Sequence, residues 1–94
     1  MAKRKHLTNR ELTELLREAE DTVPKGSVWR HFKGGDYRVV CVAFDSEDLQ
    51  LEVVHEPIDY PGVTFTRTLS NWLESVNFEG YTLSRFEHME DRKK

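Results

Sequence analysis

What the chain has little of narrows it first. Among 94 residues there is a single cysteine, Cys41. No internal disulfide is possible, which fits a reducing compartment. No apolar run approaches the roughly 20 residues that a membrane-spanning helix needs. The opening "MAKRKHLTNREL" also lacks the apolar segment of a secretory signal. The expectation is a cytoplasmic protein without membrane attachment. Zinc-ligand spacing is missing too, because His6, His31, His55 and His88 are scattered along the chain. No metal and no cofactor are expected. Nucleophilic machinery is equally sparse. Cys41 lies in "VVCVAF" with no cation beside it, the setting of an inert, buried thiol. Ser46 and Ser70 read as turn and cap residues, and the acidic pairs Glu47/Asp48 and Glu56/Asp59 fall in polar turns. The chain is not expected to be an enzyme.

Positive charge is scarce where it would matter for nucleic acid. The net charge is −3, but Lys3, Arg4 and Lys5 sit at one end and Arg92, Lys93 and Lys94 at the other. Setting aside residues 1–5 and 91–94 leaves 8 basic against 16 acidic side chains, a body near −8. Such a body repels a phosphate backbone. Arg30, Lys33 and Arg38, with Trp29 and Tyr37, could form a local cationic and aromatic patch. Strand alternation divides those five between two faces, so nucleic acid is not an expected partner.

What is present is enough for one small domain. Apolar residues make up 37% and charged residues 33%, so a thin core under a solvated surface is expected. Two Trp, three Tyr and five Phe supply the bulk that closes such a core. Residues 7–23 carry the clearest helix. Thr8 and Glu11 have capping-box spacing, Leu7 and Leu12 staple spacing, and Leu12, Leu15, Leu16 and Ala19 form one apolar stripe. Pro24 and Gly26 end it.

From Ser27 the apolar period changes to two. "SVWRHF" and "YRVVCVAF" flank "KGGD", a glycine turn between antiparallel strands in which Gly34 and Gly35 supply positive φ. A P-loop would place its glycines between a strand and a helix, so "KGG" is turn chemistry. "LQLEVVH" and "VTFTRTL" follow, then a short helical turn "SNWLESV" with Ser70 as its cap, then a last strand "YTLSRF". The second of these strands is apolar on both sides. Tyr37, Val39, Cys41 and Ala43 alternate with Val40, Val42 and Phe44. It is expected to be central, with the helix docked on it.

The run from Val28 to Glu87 resembles a small bacterial and phage domain family of unknown function. Its signature reads Y-x-H-F-K-G-x-x-Y-x-V, then H-S-E, V-V-Y, W-V-R-P and a closing R-F. His31, Phe32, Lys33, Gly34, Tyr37 and Val39 match the opening, Ser46 and Glu47 the middle, and Arg67, Arg85 and Phe86 the later motifs. Trp29, Asp45, His55, Phe65 and Thr68 depart from it. The resemblance implies an SH3-like barrel and no settled activity. With the strand count, the expected architecture is mainly β. A five-stranded SH3-like antiparallel barrel spans 27–88, the helix packs on it, and charged tails lie at 1–6 and 89–94.

Alternation puts Arg67 on the apolar face with Val63, Phe65 and Leu69, and His55 with Leu49, Leu51 and Val53. An inward guanidinium needs a carboxylate, carbonyls or an anionic ligand. One reading is a ligand pocket at the barrel mouth formed by Trp29, His31, Tyr37, His55 and Arg67, with Lys33 on its rim. It would take a small anionic or nucleotide-like ligand, or an acidic segment. The other is an internal ion pair of Arg67 with Glu47, Glu56 or Asp59. A different class also stays open: a protein-interaction module, such as a phage protein engaging a host factor through Glu14, Glu18 and Asp21 of the helix.

Overall fold

The computed structural model describes residues 6–89. The expected basic segment at 1–5 and the end of the charged tail, 90–94, lie outside the described residues. The element order is α1 (Asn9–Thr22), β1 (Val28–His31), β2 (Asp36–Phe44), β3 (Leu51–Pro57), β4 (Phe65–Thr68), α2 (Leu69–Trp72), β5 (Ser75–Phe78), β6 (Tyr81–Ser84) and β7 (Phe86–Met89). Five strands form an antiparallel sheet in the order β4-β3-β2-β1-β7, and β5 and β6 form a separate two-stranded hairpin. No helix of the described residues is long and apolar enough to cross a membrane.

The first helix starts where its capping box places it. The Thr8 hydroxyl accepts from Glu11 N–H at 3.1 Å and Glu11 Oε1 accepts from Thr8 N–H at 2.9 Å, satisfying two orphan donors. It ends at Val23, followed by Pro24 and by Gly26 with φ of 83°. Ala19 and Val23 are buried and join Trp29, Val39, Val42, Val53, Trp72 and Phe86 in one core cluster, with Leu16 packed against it. The helix therefore docks on the protein's own sheet. Leu15, expected in the buried stripe, is 39% exposed, beside Glu11, Glu14 and Glu18.

Strict alternation fails in β2, and the reason is local. Val39 pairs with His55, but the next pair is Cys41 with Val54, so one extra residue is accommodated between them. This bulge puts Val42 on the face of Val39, where both are buried, and leaves Val40 40% exposed. A strand that seemed apolar on two faces thus feeds one core. Cys41 is half-buried rather than sealed in the interior.

Two further elements differ from the sequence expectation. The last strand "YTLSRF" is divided at Arg85: Tyr81–Ser84 pairs with Ser75–Phe78, while Phe86–Met89 pairs with β1. The hairpin turns on Glu79 and Gly80, with φ of 53° and 84°. Two positive φ values in a two-residue loop suit the right-handed twist of the paired strands. The cap of α2 is the Thr68 hydroxyl, which accepts from Asn71 N–H at 3.1 Å, and not Ser70. That short helix exists to deliver Trp72. Its indole is fully buried, stacked on Phe86 at 3.8 Å between centroids and 7° between planes, with Trp29 edge-on at 5.8 Å. Such ring pairs contribute about 0.5–1.5 kcal/mol each beyond their area burial.

Candidate functional site

One face of the main sheet carries a cleft of about 390 Å³, lined by His31, Tyr37, His55, Phe65, Thr66, Arg67 and Phe86. Each of the five strands contributes to it: β1 His31, β2 Tyr37, β3 His55, β4 Phe65 to Arg67, and β7 Phe86. The register explains the convergence. His55 lies opposite both Val39 and Phe65, His31 lies opposite Phe86, and directly paired residues share a face.

Four of the six residues expected in a pocket are brought together here: His31, Tyr37, His55 and Arg67. Trp29 is not among the lining residues. It is 6% exposed, packed against Trp72, stacked on His88 at 4.6 Å, and its indole N–H donates to the Ser27 hydroxyl at 2.9 Å. It is core because the rings of Trp72 and His88 cover it. Lys33 does not line the cleft either; it lies in the exposed turn with its ammonium 5.8 Å from the Phe32 ring. Phe65, Thr66 and Phe86 are lining residues that the expected set left out. Strand alternation already placed Phe65 beside Arg67, whereas Phe86 needed the β1–β7 pairing.

Arg67 is half-buried, and its Nη1 donates to Asn71 Oδ1. Its guanidinium carbon stands 5.3 Å from the Phe86 ring centroid. Among the described residues it forms no salt bridge, so the expected ion pair with Glu47, Glu56 or Asp59 is replaced by an amide. Glu56 instead lies 3.9 Å from Arg38 and accepts from Gly62 N–H at 2.8 Å. Asn71 escaped the sequence reading, although its i, i+4 spacing from Arg67 was available. It is held on its other side: its carbonyl accepts from Arg85 Nε at 3.1 Å, and Arg85 pairs with Glu74 at 3.1 Å. The β-turn-like α2 is thus bracketed by two arginines, one facing the cleft and one neutralised.

The two histidines are fixed in opposite senses by the backbone. His55 is 4% exposed with Nδ1 3.0 Å from the Val53 carbonyl oxygen. A carbonyl only accepts, so Nδ1 carries the proton. Burial pushes the His55 pKa down, the Val53 carbonyl opposes this, and the Arg67 charge adds to the lowering. His31 Nδ1 accepts from Lys33 N–H at 3.2 Å, which leaves the proton on Nε2. Its pKa is likewise lowered, by burial first and then by Arg67, Arg85 and Lys33. Both rings are neutral near physiological pH, and among the described residues the guanidinium is the one formal charge lining the cleft.

Elsewhere, chemistry is less concentrated. No group of three His, Cys, Asp or Glu comes together among the described residues. Two of the first hairpin's cations face carboxylates: Arg30 grips Asp36 through Nε at 2.8 Å and Nη2 at 3.3 Å, and Arg38 lies near Glu56. Gly34 and Gly35 have φ of 105° and 94°, as their turn requires.

The arrangement of strands is shared with a known structure. A crystal structure of a DUF1653 protein from Bordetella bronchiseptica is similar with a TM-score of 0.62 and 26% identity. The similarity covers 74% of this chain and 92% of that one. No curated protein matches the sequence. Residues 27–88, which hold the whole cleft and every strand apart from the last residue of β7, match the family described as "Protein of unknown function (DUF1653)", and the chain belongs to that family.

Proposed function

We propose that this domain is a non-catalytic binding module whose curved sheet acts as an SH3-like barrel, taking a small anionic ligand in the concave cleft. The observation that carries the reading is Arg67: a half-buried guanidinium among aromatic walls, held by an amide rather than a carboxylate. A guanidinium held away from water without a carboxylate partner is costly. An amide holds the fork in place while leaving its charge uncancelled. The remaining N–H groups of the guanidinium present a planar donor edge suited to carboxylate or phosphate oxygens. Tyr37, Phe65 and Phe86 provide flat apolar walls, and the cleft's size is that of small-ligand sites, typically about 300–1,000 Å³. Neutral histidines beside the charge add polarity without cancelling it.

The test is a thermal-shift screen of carboxylates and phosphates on the wild-type chain and on Arg67→Met. A ligand that binds only the folded state at 100 times its Kd raises stability by about 2.7 kcal/mol. Anions that raise the melting point of the wild type but not of the folded variant support the reading. Equal shifts in both proteins, or none in either, would sink it.

A further inference from the structure

We propose that the ligand of this cleft is a flat ring carrying an anionic oxygen group beside a ring N–H, and that His55 recognises the N–H. The inference rests on the reading of the cleft as an anion site and goes on to name the chemical class. It comes from the hydrogen-bonding polarity of His31, His55 and Arg67, whose roles are fixed, whereas the Tyr37 and Thr66 hydroxyls can donate or accept.

His55 supplies a bare acceptor beside the donors of Arg67 and His31. Its Nδ1–H is committed to the Val53 carbonyl at 3.0 Å, so in the neutral ring Nε2 is a bare lone pair. Among the described residues Nε2 makes no hydrogen bond, and the one enclosed side-chain polar atom without a partner is Trp72 Nε1. His55 Nε2 is therefore not sealed inside the core. It reaches the cleft that its ring lines. The tautomer cannot invert without abandoning the Val53 carbonyl inside a ring environment built from Tyr37, Phe65, Trp72 and Phe86.

The other polar groups point to the complementary half of the ligand. His31 has its Nδ1 occupied by Lys33 N–H, which leaves Nε2–H as a donor. Arg67 keeps donors beyond the one given to Asn71. A bare carboxylate would satisfy Arg67 and His31 but bring no donor of its own to the His55 lone pair. A ring N–H beside the carboxylate satisfies all three at once. Tyr37, Phe65 and Phe86 favour a flat body for it. A site built to pair a particular N–H rejects an isostere that presents a lone pair there, because the enclosed acceptor then goes unpaired.

Two molecules of one shape isolate the question. Pyrrole-2-carboxylate places N–H next to its carboxylate, and furan-2-carboxylate places an oxygen lone pair at the same position. Each is titrated into the full chain near neutral pH, following backbone amides and imidazole nitrogens by NMR, with Arg67→Met as the control for location. The expected result is binding of the pyrrole acid at least about tenfold tighter, with the His55 Nε2 resonance moving. Equal or tighter binding of the furan acid, lost in Arg67→Met, leaves the anion site standing and overturns the assignment of ligand class. If neither acid perturbs the lining residues at about 10 mM, the anion site falls and this inference falls with it.

Discussion

Replacing Arg67 by methionine keeps most of the stem while deleting the charge and the fork, and the structure sets how much should be lost. Among the described residues Arg67 makes one side-chain hydrogen bond, to Asn71, and one contact with an aromatic ring, Phe86 at 5.3 Å. A hydrogen bond from a charged group contributes about 1.5–3 kcal/mol, and half-burial puts this one at the lower end. The ring contact adds about 0.5–1 kcal/mol. Methionine recovers part of this by removing the cost of holding a guanidinium away from water. A net loss of about 1–2 kcal/mol is expected. A domain of 94 residues has roughly 5–14 kcal/mol at 0.05–0.15 kcal/mol per residue, so the variant stays folded. At this size the loss lowers Tm by about 4–16 °C. Calorimetry and urea unfolding measure the stability. NMR titration supplies an independent reading, because the Arg67 charge contributes to lowering both His31 and His55. Both histidines should titrate at higher pH in the variant. A variant that cannot fold would make Arg67 a structural strut. Unchanged Tm together with unchanged histidine titration would refute its placement in the cleft.

Two other predictions concern acid and the second hairpin. His31 and His55 have folded-state pKa values below their ordinary 6.5, so below that pH the unfolded chain binds more protons. This stability is fully present above about pH 6.5 and is lost as pH falls towards the folded values. Urea midpoints should therefore drop between about pH 7 and about pH 5.5, before ordinary carboxylates titrate; a flat or rising midpoint contradicts the burial of His55. Glu79, at φ of 53°, holds a left-handed conformation that costs an ordinary residue about 1–2 kcal/mol and asparagine less. Glu79→Asn should raise Tm by a few degrees, about 0.5–1 kcal/mol, and a lower Tm would show that the Glu79 side chain contributes more than its backbone costs.

Some of this protein could be read directly from local chemistry. The capping box of Thr8 and Glu11, the helix stop at Pro24 and Gly26, and the glycine turn at residues 34–35 depend on residues close in sequence, and all three stand in the structure. The gathering of His31, Tyr37, His55 and Arg67 was legible as well, because strand alternation fixes which side chains share a face. Trp29 obeyed the same alternation and still went to the core, since its face is covered by Trp72 and His88, from elements far along the chain.

The sequence by itself determined the elements whose forces act within a few residues: caps, turns, and the two-residue period of the strands. Tertiary structure alone decided three things. A bulge after Val39 turned a strand apolar on both sides into one with a single buried face, which depends on the partner strand's length. The division at Arg85 sent Phe86 to pair with His31 rather than continue the hairpin. The partner of Arg67 became the Asn71 amide, because α2 follows β4 directly and brings that side chain closer than any carboxylate of the described residues. Local forces choose how a segment is shaped; which charge is left uncancelled depends on what the rest of the chain packs beside it.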